Sequence, residues 1–212
     1  MITLQSLTLT HNNKTIFKEF TLHIKAKERV VIQAPSGRGK TTLLRLIAGL
    51  NVPESGEITL DGQLATKDKN ILIAPHQRKI SMVFQDLALW SHMSVAENIT
   101  YAHRIKRVSK KKQEDISQEM LKLVGLEGYG LRKIETLSGG EAQRVALARA
   151  LATEPKIVLM DEPLSSLDSK RNAVLRKEII RLQEKLGFTL LYVTHNEEEA
   201  REIGTRFLEL DG

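Results

Sequence analysis

The chain has 212 residues, a net charge of +6 and no cysteine, so it can form one large domain with a buried core, whereas disulfides and thiolate metal sites are excluded. No apolar run approaches the roughly 18 residues needed to cross a bilayer, so any membrane role must come through a partner. The positive charge alone does not indicate nucleic acid, because the lysine run at 110–112 turns acidic at Glu114 and aromatic residues are scarce.

The first part of the chain alternates strand-like and helical runs, which is typical of an α/β protein. Residues 2–24 carry alternating apolar positions, such as Leu7 and Leu9, and are predicted to form antiparallel strands. The short apolar run 30–32 leads directly into a glycine-rich loop, and a helix is predicted over residues 41–49.

The pattern becomes helical from about Ser94 to Ala152. One apolar face, ended by Gly125, is predicted from the helical spacing of Ile116, Met120, Leu123 and Val124. We expect a helical subdomain at about 91–152, inserted in a core of about 1–90 and 153–212 within a single domain spanning residues 1–212.

Two continuous apolar runs, 157–160 and 190–193, predict strands that are buried on both faces. The first ends in Asp161 and Glu162, and the second ends at Thr194 and His195. These polar residues lie where open α/β sheets bind ligands, at the C-terminal ends of strands. A helix between residues 168 and 187 is predicted from the apolar face of Leu175, Ile179, Leu182 and Leu186.

Residues 34–41 read APSGRGKT and match the phosphate-binding pattern GxxxxGK[ST] except at its first position, where alanine is compatible only with a negative φ. Backbone N–H groups of the loop and the following helix N-terminus are expected to bind the phosphates of ATP. Lys40 should reach the β- and γ-phosphates, and the Thr41 hydroxyl should bind Mg²⁺. A glycine-rich turn with a chance lysine is disfavoured by the order strand, loop, helix. The predicted nucleotide-binding residues here are Ala34, Pro35, Ser36, Gly37, Arg38, Gly39, Lys40, Thr41 and Thr42.

The acidic pair and the histidine are the candidate catalytic groups. Asp161 is expected to support Mg²⁺, and Glu162 is expected to orient or deprotonate the attacking water. His195 is expected to donate a hydrogen bond to the γ-phosphate. Alone, the pair would be interpreted as two solvated acids and the histidine as structural. The phosphate loop upstream favours the catalytic interpretation.

A second glycine-rich loop, Ser138, Gly139, Gly140 and Glu141, fits the S-x-x-E capping box that begins a helix. A capping box does not need two glycines, whereas close approach of the backbone to an anion at a helix N-terminus does favour them. Since the loop of Lys40 already surrounds one face of the phosphates, this second anion site needs its own ATP or the ATP of a partner.

Together these segments resemble the nucleotide-binding subunits of ABC transporters over essentially the whole chain. The matched elements are the Walker A loop at 34–41, the Q-loop at Gln85, the signature loop at 137–141, Walker B at 157–162, the D-loop at 165–168 and the H-loop at His195. The resemblance implies an α/β fold: a P-loop NTPase core with a mixed sheet, an N-terminal antiparallel β-subdomain and an inserted helical subdomain.

The same resemblance implies a head-to-tail dimer with a second copy or a related ATPase subunit. ATP would lie between the loop of Lys40 in one subunit and the loop of Ser138 in the other. Asp168 is then expected at the nucleotide, while Gln85 is expected to bind Mg²⁺, to take part in catalysis and to report the γ-phosphate to the helical subdomain. That subdomain would dock on transmembrane permease subunits.

A narrower resemblance over residues 75–99 is to the ATP-binding subunits of importers for sugars, polyamines, iron and oxyanions. It implies a cytoplasmic protein held on the inner face of the membrane by permease subunits, with an extracytoplasmic solute-binding protein as a possible further partner and no nucleic acid. The sequence stops at Gly212 without the C-terminal regulatory domain of many such subunits, so ligand-gated regulation in cis is not expected. Two alternatives stay open: an ATPase of an export or lipid-releasing complex, and a nucleic-acid-associated ABC ATPase.

Two positions depart from the family pattern. His11 stands where the family usually has an aromatic residue that stacks on adenine, so loose base selectivity is expected. Asn196 follows His195 where these importers usually have aspartate. The sequence alone gives no physical account of that second change.

Overall fold

The computed structural model describes residues 1–11, 14–35, 37–165 and 169–210. The strands of this described part are Ile2–His11 (β1), Lys14–Ile24 (β2), Arg29–Gln33 (β3), Ser55–Leu60 (β4), Gln63–Lys67 (β5), Asn70–Ile71 (β6), Ile80–Val83 (β7), Ile157–Asp161 (β8), Thr189–Val193 (β9) and Arg206–Glu209 (β10). The α-helices are Lys40–Ala48 (α1), Val95–Ile105 (α2), Lys110–Leu123 (α3), Gly139–Leu151 (α4), Ser169–Leu186 (α5) and Glu197–Ile203 (α6). Short 3-10 helices cover Pro75–Gln77 and Ile134–Thr136.

The N-terminal part of the chain forms an antiparallel sheet in the order β2-β1-β4-β5-β6. β1 and β2 pair from Ile2 opposite Ile24 to His11 opposite Lys14, which confirms the strands predicted over residues 2–24. Ile2, Leu4 and Leu7 of β1 are fully buried in one cluster with α1 and strands of the second sheet. This hairpin therefore forms one wall around the helix that follows the phosphate loop.

The second sheet is parallel, in the order β10-β3-β9-β8-β7. Every residue of β8 and β9 is buried, as continuous apolar runs predict. The antiparallel and parallel pairings expected of a mixed sheet are thus divided between two sheets of the described chain. Short connections join the antiparallel neighbours β4, β5 and β6, whereas helices lie between the parallel neighbours β7 and β8 and between β8 and β9.

The order of the parallel sheet decides where the candidate site lies. β3, β9, β8 and β7 are consecutive neighbours. In register, Asp161 of β8 pairs with Val193 of β9, and Val193 pairs with Ile32 of β3. The loops that leave these strands therefore meet at one edge of the sheet.

The helices α2, α3 and α4 pack on one another, and α4 also packs on β7. They follow one another between β7 and β8, and Gly125, with φ of +68°, follows α3. The predicted apolar face of α5 is correct for Leu175, Ile179 and Leu182 but wrong for Leu186, which is 47% exposed. Leu186 ends α5, and the chain turns away at Gly187. No helix in the described ranges is long and apolar enough to span a membrane.

Arg78 is only 5% exposed and connects the end of α1 to the antiparallel sheet through hydrogen bonds. Its guanidinium donates to the carbonyl oxygens of Ile47 at 2.9 Å and Ala65 at 3.2 Å and to Thr66 Oγ1 at 2.7 Å. It also fills the space beside Gly49, where a Cβ would lie 2.4 Å from Arg78 Cζ. The planar donor fork of arginine matches this set of acceptors, and no local sequence pattern indicates it.

Arg78→Met is expected to lower the free energy of unfolding by about 3 kcal/mol, because buried carbonyl groups lose their donors. Urea unfolding measures the change. Arg201→Met, at an exposed arginine that pairs with the exposed Glu197, is the control and should change stability little. Equal stability of the Arg78→Met and wild-type chains would contradict this role.

Candidate active site

The loop between β3 and α1 adopts the backbone that its glycines permit. Gly37 has φ of +79° and Gly39 has φ of +85°, whereas Ala34 is not among the residues with positive φ. A Cβ at Gly39 would lie 2.4 Å from Ile16 Cγ2 of β2. Both glycines are therefore required, and alanine at the first motif position is compatible with the loop. Ser36 lies outside the described residues.

Lys40 begins α1 and is 7% exposed. Its Nζ donates to the carbonyl oxygens of Ala34 at 2.6 Å and Pro35 at 3.2 Å, so the ammonium lies inside the curve of the loop. Gly39 is the N-cap of α1, without a side-chain cap and without an acidic residue in the first turn among the described residues. The first N–H groups of α1, with the helix dipole and Lys40, form a typical anion-binding site.

Thr41 and Asp161 bring a hydroxyl and a carboxylate together at this site. Thr41 Oγ1 donates to Asp161 Oδ1 at 3.1 Å, and Asp161 is 7% exposed. Burial raises the pKa of the Asp161 carboxyl above its usual range, and the bond from Thr41 opposes that shift. Hydroxyl and carboxylate oxygens are ligands that Mg²⁺ prefers. Thr42 follows in the first turn of α1 and is partly buried.

Glu162 and His195 meet at the neighbouring strand ends. His195 Nδ1 lies 3.2 Å from Glu162 Oε2, and both side chains line a cavity of roughly 210 Å³. The Glu162 side chain is 19% exposed and that of His195 is 67% exposed. A water-accessible carboxylate beside an imidazole can orient water and exchange a proton with it.

The backbone at Glu162 is strained. Its φ is +45°, although it is not a glycine, and its N–H donates to the carbonyl oxygen of Val193 at 3.0 Å. Such a conformation costs a non-glycine residue about 1–2 kcal/mol and persists where the surroundings impose it. The strain turns the chain out of β8 so that the carboxylate faces His195. The sequence contains no signal for it, because glutamate is not a residue that favours positive φ.

Gln85 lies two residues beyond β7, at the same edge of the sheet, and its side chain is exposed. The segment after it is held by Arg149 of α4, which donates to the carbonyl oxygens of Ala88 and Leu87. Trp90 packs on the ring of Tyr101 with centroids 4.4 Å apart, which supports a packing role for Trp90. No local sequence pattern indicates this role of Arg149, because its partners lie 61 and 62 residues away along the chain.

The second glycine-rich loop forms the predicted capping box at the start of α4. Ser138 Oγ accepts from the Glu141 N–H at 3.4 Å, and the Glu141 carboxylate accepts from the Ser138 N–H at 2.7 Å and from Tyr129 Oη at 2.7 Å. The bond from Ser138, with that from Tyr129, lowers the pKa of Glu141 from 4.5 to about 2. These bonds therefore stabilise the folded chain at pH values above 4.5 and are lost as the pH falls through 2.

The glycines of this loop leave room beside it. A Cβ at Gly140 would meet no described atom of this chain within 4 Å, and Ser138, with Gly139 next to it, is exposed. The cavity beside Glu162 and a second one of about 760 Å³ beside the phosphate loop are both lined by His195, and neither is lined by Ser138 among the described residues. The two glycine-rich loops therefore do not share a cavity in the described part of this chain. Asp168, predicted to contact the nucleotide, lies outside the described residues.

The two departures noted in the sequence have defined positions. Asn196 is the N-cap of α6, and its Oδ1 accepts from the N–H groups of Glu198 at 2.8 Å and Glu199 at 3.1 Å. Asparagine and aspartate cap helices equally well, so the asparagine keeps this local structure. His11 is exposed at the end of β1, opposite Lys14.

Comparison with known proteins agrees with this geometry. The family model described as ABC transporter matches residues 17–165. The spermidine/putrescine import ATP-binding protein PotA of Clostridium novyi is 42% identical over 94% of this chain and 56% of its own length. The trehalose/maltose import ATP-binding protein MalK of Thermococcus litoralis is 43% identical over 91% of this chain and 52% of its own length. The chain therefore spans about half the length of these curated relatives.

Solved structures give the same assignment over the whole fold. The ATP-binding cassette MJ0796, in a dimeric post-hydrolysis state bound to ADP and Pi, superposes with a TM-score of 0.86 at 34% identity, covering 100% of this chain and 94% of that one. A second dimeric structure of MJ0796, described as a bacterial ABC transporter cassette, gives a TM-score of 0.86 at 35% identity. Family model, relatives and fold agree: this chain belongs to the ABC transporter family and has the fold of its ATP-binding cassettes.

Proposed function

We propose that this chain binds and hydrolyses ATP and thereby energises a membrane importer of small solutes. The observation that carries the proposal is the meeting of the phosphate loop, the Thr41–Asp161 pair and the Glu162–His195 pair at one edge of the parallel sheet. One edge thus holds an anion site, two metal-type oxygen ligands and a carboxylate able to activate water. These are the parts that phosphoryl transfer to water requires.

Binding would begin at the phosphate loop. The N–H groups at the start of α1 would contact the phosphates, and Lys40 would exchange the carbonyl oxygens of Ala34 and Pro35 for phosphate oxygens. Thr41, Asp161 and Gln85 would hold Mg²⁺, which neutralises phosphate charge when bound. Thr41 Oγ1 and Asp161 Oδ1 are already 3.1 Å apart, so this part of the site needs little rearrangement.

Hydrolysis would use the pair at the neighbouring strand ends. Glu162 would orient a water and take its proton as the water oxygen bonds to the γ-phosphorus and the bond to the bridging oxygen breaks. His195, 3.2 Å from Glu162, would donate to the γ-phosphate. Gln85, which follows the neighbouring β7, would contact the γ-phosphate from the side of the helices α2 to α4.

The loop of Ser138 would supply the second set of contacts to a bound ATP. Ser138 is exposed at the N-terminus of α4, lines neither cavity beside His195 and has glycines next to it. It would therefore complete the ATP site of a second copy or of a related subunit, in a head-to-tail dimer. The dimeric state of the cassette MJ0796 supports this arrangement. ATP binding would close the dimer and hydrolysis would reopen it.

The relatives are named as import proteins, which favours import: PotA for spermidine/putrescine, FbpC for Fe(3+) ions and MalK for trehalose/maltose. We place the chain on the cytoplasmic face of the membrane, bound to permease subunits that themselves contact a solute-binding protein. The different solutes named for such similar relatives agree with selection of the solute by the permease and not by this chain.

Affinity purification of the chain from detergent-solubilised membranes tests the assignment. We expect a permease of the importer type to co-purify, together with ATPase activity that depends on Lys40. Recovery of an exporter or of a lipid-releasing complex would overturn the proposed role in import, whereas the proposed ATP hydrolysis would stand. Tight DNA or RNA binding at physiological salt, with no membrane partner, would favour the nucleic-acid alternative.

His11 is the proposed base contact, and its position follows from the hairpin. Ile16 and Phe17 of β2 pack on Gly39 of the phosphate loop. His11 pairs with Lys14, about 10 Å farther along the strands at about 3.3 Å per residue. That distance suits a base whose phosphates lie on the loop.

His11→Tyr is expected to lower the KM for ATP and for GTP about tenfold each with kcat unchanged, because a larger ring stacks more strongly on any base. Steady-state hydrolysis of both nucleotides measures the change, with Thr15→Tyr, at an exposed position on the opposite face of β2, as the control. A KM that stays constant for both nucleotides would exclude His11 as the base contact.

A further inference from the structure

The junction between β9 and α6 holds the backbone of His195 from both sides. Thr194, which precedes His195, is 2% exposed. Its hydroxyl donates to Glu199 Oε2 at 2.8 Å and accepts from the Asn196 N–H at 3.0 Å. One buried hydroxyl therefore connects the residue before His195, the residue after it and the first turn of α6.

Glu199 is the buried anchor of this arrangement, with 3% of its surface exposed. The same Oε2 atom accepts a second hydrogen bond, from Tyr192 Oη at 3.0 Å. Burial is the main cause that raises the pKa of the Tyr192 phenol, and the nearby Glu199 is the second cause. Tyr192 is therefore protonated and a hydrogen-bond donor at neutral pH. The hydroxyl of Tyr192 in β9 and that of Thr194 directly after the strand thus fix α6 through one carboxylate.

Arg176 of α5 secures the same helix from its other side. Its guanidinium is 2% exposed and donates to Glu202 Oε2 at 2.6 Å and Glu198 Oε1 at 2.8 Å, both on α6. Such charge-assisted bonds are short and strong, and the cation also lowers the cost of the buried Glu199 charge. α6 is therefore fixed to both β9 and α5.

His195 itself is poorly held by packing. Its side chain is 67% exposed, and its ring bonds Glu162 at 3.2 Å. An exposed imidazole keeps one orientation only if its backbone is fixed, because few side-chain contacts restrict it. The hydroxyl of Thr194 and the carboxylate of Glu199 supply that restraint.

We propose that Thr194 is a positioning residue for hydrolysis, which fixes His195 beside Glu162 through its hydroxyl bonds to Glu199 and to the Asn196 N–H. This inference rests on the proposed function of His195. Thr194 is buried and acts through His195, so its loss should affect the hydrolytic step and not nucleotide affinity. A displacement of about 1 Å at a reacting group can cost roughly a hundredfold in rate.

The test compares Thr194→Val, which keeps the shape and removes the hydroxyl, with Thr194→Ser, which keeps the hydroxyl. We expect Thr194→Val to lower kcat roughly tenfold or more, with the nucleotide Kd unchanged, and Thr194→Ser to retain most of the turnover. Tyr192→Phe is the second variant: it removes the other bond to Glu199 without touching Asn196, and a smaller fall in kcat is expected.

The decisive readout is the same substitution in a His195→Ala background. If Thr194 acts through His195, adding Thr194→Val to His195→Ala causes no further fall in kcat. An equal further fall in that background, or full turnover in Thr194→Val, would overturn the inference while leaving the proposed function intact. Normal turnover in His195→Ala would instead overturn the proposed role of His195 and this inference with it.

Discussion

Replacing Glu162 by glutamine is expected to lower ATP turnover by about a thousandfold while leaving nucleotide binding intact, since a general base contributes about 10² to 10⁴ in rate. Glutamine keeps the shape of the side chain and cannot take a proton. The phosphate loop, Lys40 and the Thr41–Asp161 pair are untouched. The variant should therefore close around ATP without passing the step that reopens the dimer.

Two measurements check this result. Phosphate release gives the turnover, and size-exclusion chromatography with and without ATP gives the fraction of dimer, which should rise in Glu162→Gln. The control is Glu57→Gln, at an acid of β4 that pairs with Lys67 and lines neither cavity beside His195. Wild-type turnover in Glu162→Gln would show that Glu162 takes no part in the hydrolytic step. The assignment of the nucleotide-binding residues would not change.

The second large effect is expected from a substitution in the other glycine-rich loop, at the N-terminus of α4. Ser138→Arg should abolish hydrolysis, because the long arginine side chain at the exposed N-terminus of α4 fills the space beside Gly140 and keeps the phosphates of a partner's ATP away from the backbone of that loop. Nucleotide binding at the loop of Lys40 should persist, since Ser138 lines neither cavity beside His195. Equilibrium binding of a fluorescent ATP analogue, compared with the hydrolysis rate, measures the two separately. Ser109→Arg, at the exposed N-cap of α3, is the matched control.

The features predicted correctly from the sequence depend on contacts that are close along the chain. The capping box joins Ser138 to a residue three positions away, and Gly37 and Gly39 allow the positive φ that their loop adopts. The buried strands β8 and β9 follow from continuous apolar runs. The order of strand, loop and helix then brings the candidate site together, because parallel strands expose their ends at one edge.

The features that were missed depend on the fold as a whole. Arg78 reaches carbonyl groups up to 32 residues away, and Arg176 reaches a helix 22 to 26 residues away. Neither residue type nor spacing indicates such partners. The positive φ of Glu162 is imposed by its bond to Val193 on the neighbouring strand. Leu186 is exposed because α5 ends where the chain turns toward β9, a change of direction that helical periodicity does not contain.

The shared ATP site is the central claim, and mixing two inactive variants tests it most directly. Lys40→Ala removes the phosphate-loop half of each site, and Ser138→Arg removes the other half, so each variant alone should be inactive. In a mixed head-to-tail dimer one site has an intact Lys40 from one subunit and an intact Ser138 from the other. Random pairing therefore predicts recovery of about a quarter of wild-type hydrolysis. Turnover in the mixture no higher than that of the two variants measured separately would contradict the shared site.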